Sequence, residues 1–266
     1  VMAAYGPELL VLADEQGVGL LFEASVAGGI PIIRALQQGL CASELTSVQG
    51  ILNGTCNYIL TRMGEEGLEF DVVLADAQKL GYAEPDPTYD IQGYDTAHKT
   101  AILASLAFGM DIRYKDVHVE GIEHIQPADL RYAKELGFAV KLLGIAKRKH
   151  PEQAVEVRVH PTLVPLTSPL GQVSGVYNSL LVDGYPIGPT MYYGQGAGPD
   201  ATSSAVISDL MALASDIHGF NRWRDSRLRA DIHHKQTKPM EYLQTRYYLR
   251  FAMHDQAGVM DLIRQI

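Results

Sequence analysis

Acidic side chains and a lysine are crowded into one short stretch of the chain. Four carboxylates fall within twelve positions and a lysine follows four residues later: Glu84, Asp86, Asp90, Asp95 and Lys99. Such a cluster suits recognition of an ammonium group, and a lysine in charged surroundings can serve in proton transfer. On a helix, Asp95 and Lys99 share one face, which equally fits a surface ion pair contributing ~0.3–0.5 kcal/mol.

Two glycine-containing segments and one turn are further candidates for binding. The segments are Glu23-Ala24-Ser25-Val26-Ala27-Gly28-Gly29-Ile30 and Gly194-Gln195-Gly196-Ala197-Gly198, and the turn is Asn53-Gly54-Thr55. Each has a purely structural interpretation, because glycine permits unusual backbone angles and asparagine caps helices. Glycine loops before helices also bind phosphates. The second segment does not follow the first strand of a βαβ unit, so it is not a Rossmann fingerprint.

The elements that must position these residues indicate an α/β (α+β) chain. Apolar runs predict strands at Val18–Phe22, Leu45–Leu52, Phe138–Ala146, Val155–Val164 and Tyr247–Met253. Apolar spacing and capping residues predict helices around Leu9–Ala13, from Pro31, after Asn53-Gly54, over Phe70–Leu80 and Gly93–Phe108, and after Gly198 and Gly258. We expect a mixed sheet with helices on one face, plus the last strand–helix remnant of a Rossmann domain.

Composition excludes several classes of function. The 266 residues carry 31 acidic and 22 basic side chains, which argues against a nucleic-acid partner because phosphate contacts need lysine and arginine. The longest nearly apolar stretch, Ala101–Met110, is about half of a membrane span, so we expect no membrane partner. Two cysteines are too few for a disulfide framework, which favours a reducing, cytoplasmic location.

The stretch Ala77–Lys99 resembles the signature of homoserine dehydrogenases. It joins a helix-ending glycine, an acidic Asp-Pro loop, an Asp-x-x-Gly-x-Asp pattern and a lysine four residues later. Three other segments resemble the family as well: Phe22–Pro31, Asn53–Tyr58 and Tyr193–Gly198. The resemblance extends over Val1 to about Ile217. It implies the NAD- or NADP-dependent interconversion of homoserine and aspartate 4-semialdehyde, in the biosynthesis of threonine, methionine and isoleucine.

The resemblance also implies roles for the acidic cluster. Lys99 corresponds to the proton donor and acceptor, and Asp95 orients or tunes it. Glu84 corresponds to the carboxylate that holds the substrate's amino group, with Asp90 as a supporting acid. Further substrate contacts are implied at Gly54 and Thr55, through their main chain, and at Tyr82, which equally fits a packed aromatic residue.

For the cofactor and a cation, the resemblance implies a further set of residues. NAD or NADP is implied at Ser25 and at Gly196, Ala197 and Gly198. A monovalent cation, expected to be sodium, is implied at the Glu23 carboxylate and at the carbonyls of Val26, Gly28 and Ile30. Hard cations favour such oxygen ligands.

The division into domains follows from the same resemblance. Residues 1–38 correspond to the end of a dinucleotide-binding domain, and 39–220 to the homoserine-binding, catalytic and dimerisation domain, whose helix 199–217 packs back towards the cofactor domain. Residues 221–246 read as a linker and 247–266 as the start of an ACT domain, a module that binds amino acids, with threonine the expected effector. We expect a fragment of a homodimeric enzyme that, alone, binds the cofactor weakly and turns over negligibly.

Two other functions fit the same residues. The acidic loop could hold an amino acid in a non-enzymatic binding or regulatory module derived from the fold. Another amino-acid dehydrogenase with the same plan is disfavoured, because the Asp90–Lys99 pattern matches the homoserine family specifically.

Overall fold

One mixed sheet forms the centre of the molecule. The computed structural model describes residues 1–148, 150, 154–217 and 238–250 of the chain. Within them, six strands lie in the order β2-β4-β3-β1-β5-β6; β2 pairs with β4 in parallel and the other neighbours are antiparallel. The strands are β1 Glu44–Ile51, β2 His118–Val119, β3 Phe138–Lys147, β4 Glu156–Pro165, β5 Tyr177–Tyr185 and β6 Thr190–Gln195.

Eight α-helical segments accompany the sheet in the described ranges. They are α1 Met2–Glu15, α2 Ile32–Arg34, α3 Gly54–Glu66, α4 Phe70–Lys79, α5 Thr88–Ile91, α6 Tyr94–Phe108, α7 Pro127–Glu135 and α8 Pro199–Ile217. A π-helical turn, Ala35–Gly39, continues α2. Short 3₁₀ turns lie at Glu23–Ser25, Tyr114–Asp116 and Met240–Tyr242. In the part of the chain that is described, no helix combines the length and apolarity needed to cross a membrane.

The helices cover one face of the sheet. Helices α3, α6 and α7 pack on that face, where side chains such as Leu142 on β3 and Leu103 on α6 join the main core. The opposite face carries a smaller cluster formed by Ile51, Leu143, Ile145 and Val164 together with Leu170 and Val173 from the connection before β5. The predicted mixed sheet with helices on one face is therefore confirmed.

The predicted Rossmann strand at Val18–Phe22 is wrong. These residues are not part of the sheet, and Val18 and Leu21 are exposed. A strand needs a neighbour to satisfy its backbone groups, and no described strand lies beside this segment. The helix predicted to open at Pro31 begins at Ile32 as expected, but after one turn it passes into the π-helical turn.

Most of the other predicted elements are confirmed, with boundaries shifted by one or two residues, except that the helix predicted around Leu9–Ala13 extends over Met2–Glu15. The structure adds α5, α7, β2, β5 and β6, which the periodicity did not identify; β5 and β6 lie in the stretch rich in proline and glycine. Residues 247–250 of the predicted strand Tyr247–Met253 are irregular, and the rest of it, with the helix after Gly258, lies outside the described residues. So do residues 221–237 of the proposed linker.

Lys141 on β3 is a buried cation. Only 5% of the residue is exposed, and its ammonium donates hydrogen bonds to Asn57 Oδ1, at 3.2 Å, and to the Val173 carbonyl. Burial lowers the pKa of Lys141 from 10.5 to about 8, opposed by the attraction of Glu65. The folded protein therefore disfavours the charged form relative to the unfolded chain.

This burial predicts a pH-dependent stability. Between pH 8 and pH 10.5 the unfolded chain binds more protons at Lys141 than the folded protein, so its contribution to the free energy of unfolding rises with pH. Relative to a Lys141→Met variant, the free energy of unfolding of the wild type, measured in urea, should rise by ~2–3 kcal/mol across this window. A difference between the two proteins that does not change with pH would contradict the burial.

Candidate active site

Lys99 and Asp95 form a partly buried ion pair on α6. The helix begins after Gly93, whose φ of 85° is in the left-handed region, and Asp95 lies in its first turn, where an acidic group is favoured. Lys99 Nζ lies 2.7 Å from Asp95 Oδ2 and also donates to the Leu52 carbonyl at 3.0 Å. The two side chains are 20% and 21% exposed. The ammonium is thus held in place by two acceptors rather than moving freely in solvent.

Asn53 brings Asp90 into the same cluster. Its Nδ2 donates to Asp90 Oδ1 at 2.7 Å and to Asp95 Oδ2 at 2.9 Å. Its Oδ1 accepts from the amide of Cys56 at 2.8 Å, which caps α3. Sequence reasoning noted this residue only as a helix cap. The available signal was that a capping asparagine keeps two N–H donors for other partners.

The carboxylates of this cluster influence one another. Burial raises the pKa of Asp90, the hydrogen bond from Asn53 lowers it, and the neighbouring charges of Asp95 and Glu84 raise it. Glu84 is therefore close enough to Asp90 to act on it electrostatically. Burial, with the same aspartates nearby, raises the pKa of the Cys56 thiol well above its usual value, so that thiol is not a nucleophile at neutral pH.

The loop that carries Glu84 is attached to the first turn of α3. Thr55 Oγ1 donates to the Tyr82 carbonyl, and the Gln78 side chain donates to the Glu84 carbonyl at 3.1 Å. The Tyr82 ring meets the Tyr58 ring edge-on, at 5.0 Å between centroids, while remaining partly exposed. Tyr82 is thus a packed aromatic that still presents a surface to the site. The Glu84 residue itself is exposed.

Gly54 is required by packing. A Cβ at this position would lie 2.6 Å from the Val176 carbonyl oxygen, so the connection before β5 closely approaches the start of α3. This contact supports the structural interpretation of the Asn53-Gly54-Thr55 turn. The role of the Gly54 main chain in substrate binding stays a prediction.

The two glycine-containing segments lie against each other. The Gly29 amide donates to the Gln195 carbonyl at 3.1 Å, and a Cβ on Gly28 would lie 2.6 Å from the Gly196 carbonyl oxygen. Ser25 ends the 3₁₀ turn Glu23–Ser25, three residues before Gly28, so the predicted cofactor residues of the two segments lie near one another. Gly198, with φ of 111°, completes the second segment before α8.

Asn178 connects this region to the lysine. A Cβ on Gly196 would lie 2.0 Å from the Asn178 amide, so only glycine fits there. Asn178 Nδ2 donates at 3.1 Å to the Leu52 carbonyl, which also accepts from Lys99. Asn178 Oδ1 is buried without a hydrogen-bond partner among the described residues. A neutral acceptor is therefore available beside the glycine segment, and the sequence pattern gave no signal for it.

The predicted cation residues lie in a turn with unusual backbone geometry. Ala27 and Gly28 have φ of 57° and 47°, and the buried Glu23 carboxylate accepts from the amides of Ile33 and Arg34 at 2.8 and 2.9 Å. Burial raises the pKa of Glu23, and these two hydrogen bonds lower it. In the described ranges, no group of three His, Cys, Asp or Glu side chains has metal-site geometry. Any cation in this turn would therefore depend on carbonyl oxygens.

The sequence of this chain is similar to those of known proteins over nearly its whole length. Residues 31–211 match the family model described as homoserine dehydrogenase. The chain is 48% identical over 265 residues to the homoserine dehydrogenase of Synechocystis, covering 98% of this chain and 61% of that protein. It is 46% identical over 266 residues to that of Helicobacter pylori, covering 100% and 61%. The chain thus spans about 61% of the length of these curated relatives.

Solved structures show the same similarity. A homoserine dehydrogenase from Thiobacillus denitrificans superposes with a TM-score of 0.86 at 45% identity, over 91% of this chain and 56% of that one. A hyperthermophilic archaeal homoserine dehydrogenase in complex with NADPH superposes with a TM-score of 0.70 at 28% identity, over 84% and 63%.

Proposed function

Because this chain belongs to the homoserine dehydrogenase family, we propose that its carboxylate–lysine cluster binds homoserine and aspartate 4-semialdehyde, and that the complete protein interconverts them. The observation that carries this proposal is the joint placement of Lys99, Asp95 and Asp90 around Asn53. An amino-alcohol substrate needs an anionic group for its ammonium and a proton-exchanging group at its oxygen, and the cluster contains both.

Lys99 is the group proposed to exchange the proton. In the direction of aldehyde reduction, its ammonium donates a proton to the substrate oxygen; in the reverse direction, the amine accepts the hydroxyl proton. Asp95 Oδ2 and the Leu52 carbonyl hold Nζ in position, so little freedom is lost when substrate binds. The exposed Glu84, with Asp90 nearby, is proposed to bind the substrate's ammonium.

The fit for a dinucleotide rests on the close approach of the two glycine segments and on the unpaired Asn178 carbonyl oxygen. Ser25, Gly196, Ala197 and Gly198 are the residues proposed to contact NAD or NADP. When bound, the nicotinamide supplies the hydride acceptor or donor. Among the described residues, no atom beyond its chain neighbours lies within 4 Å of a Cβ position on Gly198, so this glycine leaves room for close approach to the backbone.

We extend the proposal to a monovalent cation, with sodium favoured, at Glu23, Val26, Gly28 and Ile30. The left-handed turn at Ala27 and Gly28 and the buried Glu23 carboxylate support it, because hard cations favour oxygen ligands. Replacing choline chloride by sodium chloride at constant ionic strength should raise the unfolding temperature. Unfolding temperatures that are identical in the two salts would contradict a sodium site.

The homodimer is proposed to form through the sheet face opposite the helices. Leu181 pairs directly with Met191 on that face, and Met191 and the nearby Tyr193 are 37% and 55% exposed. Exposed apolar side chains beside a small buried cluster are typical of a contact surface.

Light scattering at micromolar concentration should give the mass of a dimer, and Leu181→Glu should give a monomer. Leu136→Glu, which alters an exposed leucine at the end of α7, should remain dimeric because α7 packs on the helical face. A wild type that is monomeric, or a Leu181→Glu variant that stays dimeric, would contradict this interface.

Two cellular features complete the proposal. The free thiols of Cys41 and Cys56 fit a reducing cytoplasm, where the enzyme would serve threonine, methionine and isoleucine biosynthesis.

Residues 247–266 are proposed to begin an ACT domain. Threonine should therefore inhibit the complete protein, and insensitivity to threonine would argue against that effector.

The experiment that tests the proposed function is a dehydrogenase assay of the complete gene product. Homoserine should drive reduction of NAD or NADP, and aspartate 4-semialdehyde should drive the reverse reaction. Binding of homoserine without any turnover would favour the alternative, a non-enzymatic amino-acid-binding module.

A further inference from the structure

We propose that Asn53 is a positioning residue that holds Asp90 and Asp95 in the geometry needed by Lys99 and the substrate's ammonium. The inference rests on the function proposed for this cluster and assigns it a residue beyond the predicted set. Asn53 reaches both carboxylates from α3, whereas Asp95 and Lys99 lie on α6 and Asp90 lies on α5. One amide therefore connects three elements at the site.

The chemistry of its contacts fixes the orientation of the amide. Asn53 Oδ1 accepts from the Cys56 amide at 2.8 Å, and Nδ2 faces carboxylate oxygens at 2.7 and 2.9 Å. The flipped orientation would place the amide oxygen against two carboxylates and the NH₂ group against an N–H donor. Both arrangements are repulsive, so the two Nδ2 protons must be directed at Asp90 and Asp95. The residue is 6% exposed, which shields these bonds from water.

The amide allows two carboxylates to share the site without cancelling their charge. Asp95 Oδ2 accepts from both Lys99 and Asn53, while Asp90 Oδ1 accepts from Asn53. Two carboxylates and one ammonium leave a net negative charge, to which Glu84 adds another. A lysine or arginine in place of Asn53 would remove that excess. A neutral double donor stabilises the carboxylates and leaves the negative potential available for a cationic substrate.

Capping of α3 does not by itself explain this residue. A helix cap requires only a side-chain oxygen, which aspartate and serine also supply. Neither offers two N–H donors in addition to that oxygen. Asn53→Asp and Asn53→Ser therefore keep the cap while removing the double donor, and they separate capping from positioning.

Groups on three elements around Asp90 shift its pKa. They are Asp95 and Lys99 on α6, Glu84 in the preceding loop and Asn53 at the start of α3. Since the Asn53 hydrogen bond lowers the pKa of Asp90, its removal should raise that pKa, which NMR titration of the ligand-free protein can measure. Asn53→Asp should shift it further in the same direction, because a third carboxylate is added.

The kinetic test uses both variants in the complete gene product. Asn53→Ser should unfold at nearly the wild-type temperature, and Asn53→Asp at a lower temperature because it adds a carboxylate beside two others. Both folded variants should lose about tenfold or more in kcat and show the acid limb of the kcat profile displaced to higher pH. A variant that folds, with wild-type kcat and an unchanged pH profile and Asp90 titration, would overturn the positioning role. Asn53→Asp serves if Asn53→Ser does not fold. A wild type without dehydrogenase activity would reject the proposed function instead, while the Asp90 titration would still decide the role of Asn53.

Discussion

Replacing Lys99 by alanine is expected to lower kcat of the complete protein by about 10²–10⁴-fold, the usual size of a general acid–base contribution. The side chain is the proposed proton donor, and its ammonium is held by Asp95 Oδ2 at 2.7 Å and the Leu52 carbonyl at 3.0 Å. Alanine removes the ammonium, and with it the transferable proton and the ion pair with Asp95. The helix should stay folded, because alanine favours helices and Asn53 continues to bind Asp95.

The matched control for this variant is Lys79→Ala. Lys79 also pairs with an aspartate on its own helix, Asp76 at 3.3 Å, but its side chain is 76% exposed and lies outside the cluster. Stopped-flow and steady-state measurements should show wild-type turnover for Lys79→Ala and unchanged far-UV circular dichroism for both variants. Wild-type kcat in a folded Lys99→Ala protein would remove this residue from proton transfer.

Replacing Glu84 by glutamine is expected to weaken homoserine binding about 10–100-fold, because a charge-assisted hydrogen bond contributes roughly 1.5–3 kcal/mol. The shape of the side chain is kept and only the charge is lost. KM for homoserine should therefore rise much more than kcat falls, while KM for the nicotinamide cofactor should be unchanged. The exposure of Glu84 makes destabilisation of the fold a minor effect.

A second exposed glutamate provides the control. Glu135→Gln, at the end of α7, makes the same change of charge outside the proposed site and should leave KM at the wild-type value. An equal rise in KM for both variants would indicate a general effect of net charge. An unchanged KM in Glu84→Gln would assign the substrate's ammonium to another group.

The parts of this molecule that the sequence predicted well have strong local signals. The apolar stripe and Gly93 delimit α6, and a spacing of four residues on a helix is enough to bring Asp95 to Lys99. The glycine that follows α4, Gly81, is an equally local signal. Such features do not depend on distant parts of the chain.

The parts that were missed depend on contacts between distant segments. Asn53 reaches Asp90 across 37 positions, and Asn178 reaches the Leu52 carbonyl across 126. The spacing of apolar residues along the chain carries no information about contacts between such distant residues. The prediction of a strand at Val18–Phe22 was wrong for a related reason. A strand is stable only beside a partner strand, and the apolar residues of one segment do not identify its partner.

Calorimetric titration of homoserine tests the central claim most directly, because it measures the substrate site without requiring turnover. It should be carried out on the complete gene product, with and without NADPH, for the wild type and for Glu84→Gln. The account predicts one site per chain in the wild type and an affinity about 10–100-fold weaker in the variant. Absence of homoserine binding in the folded wild type, or equal affinity in the two proteins, would contradict it.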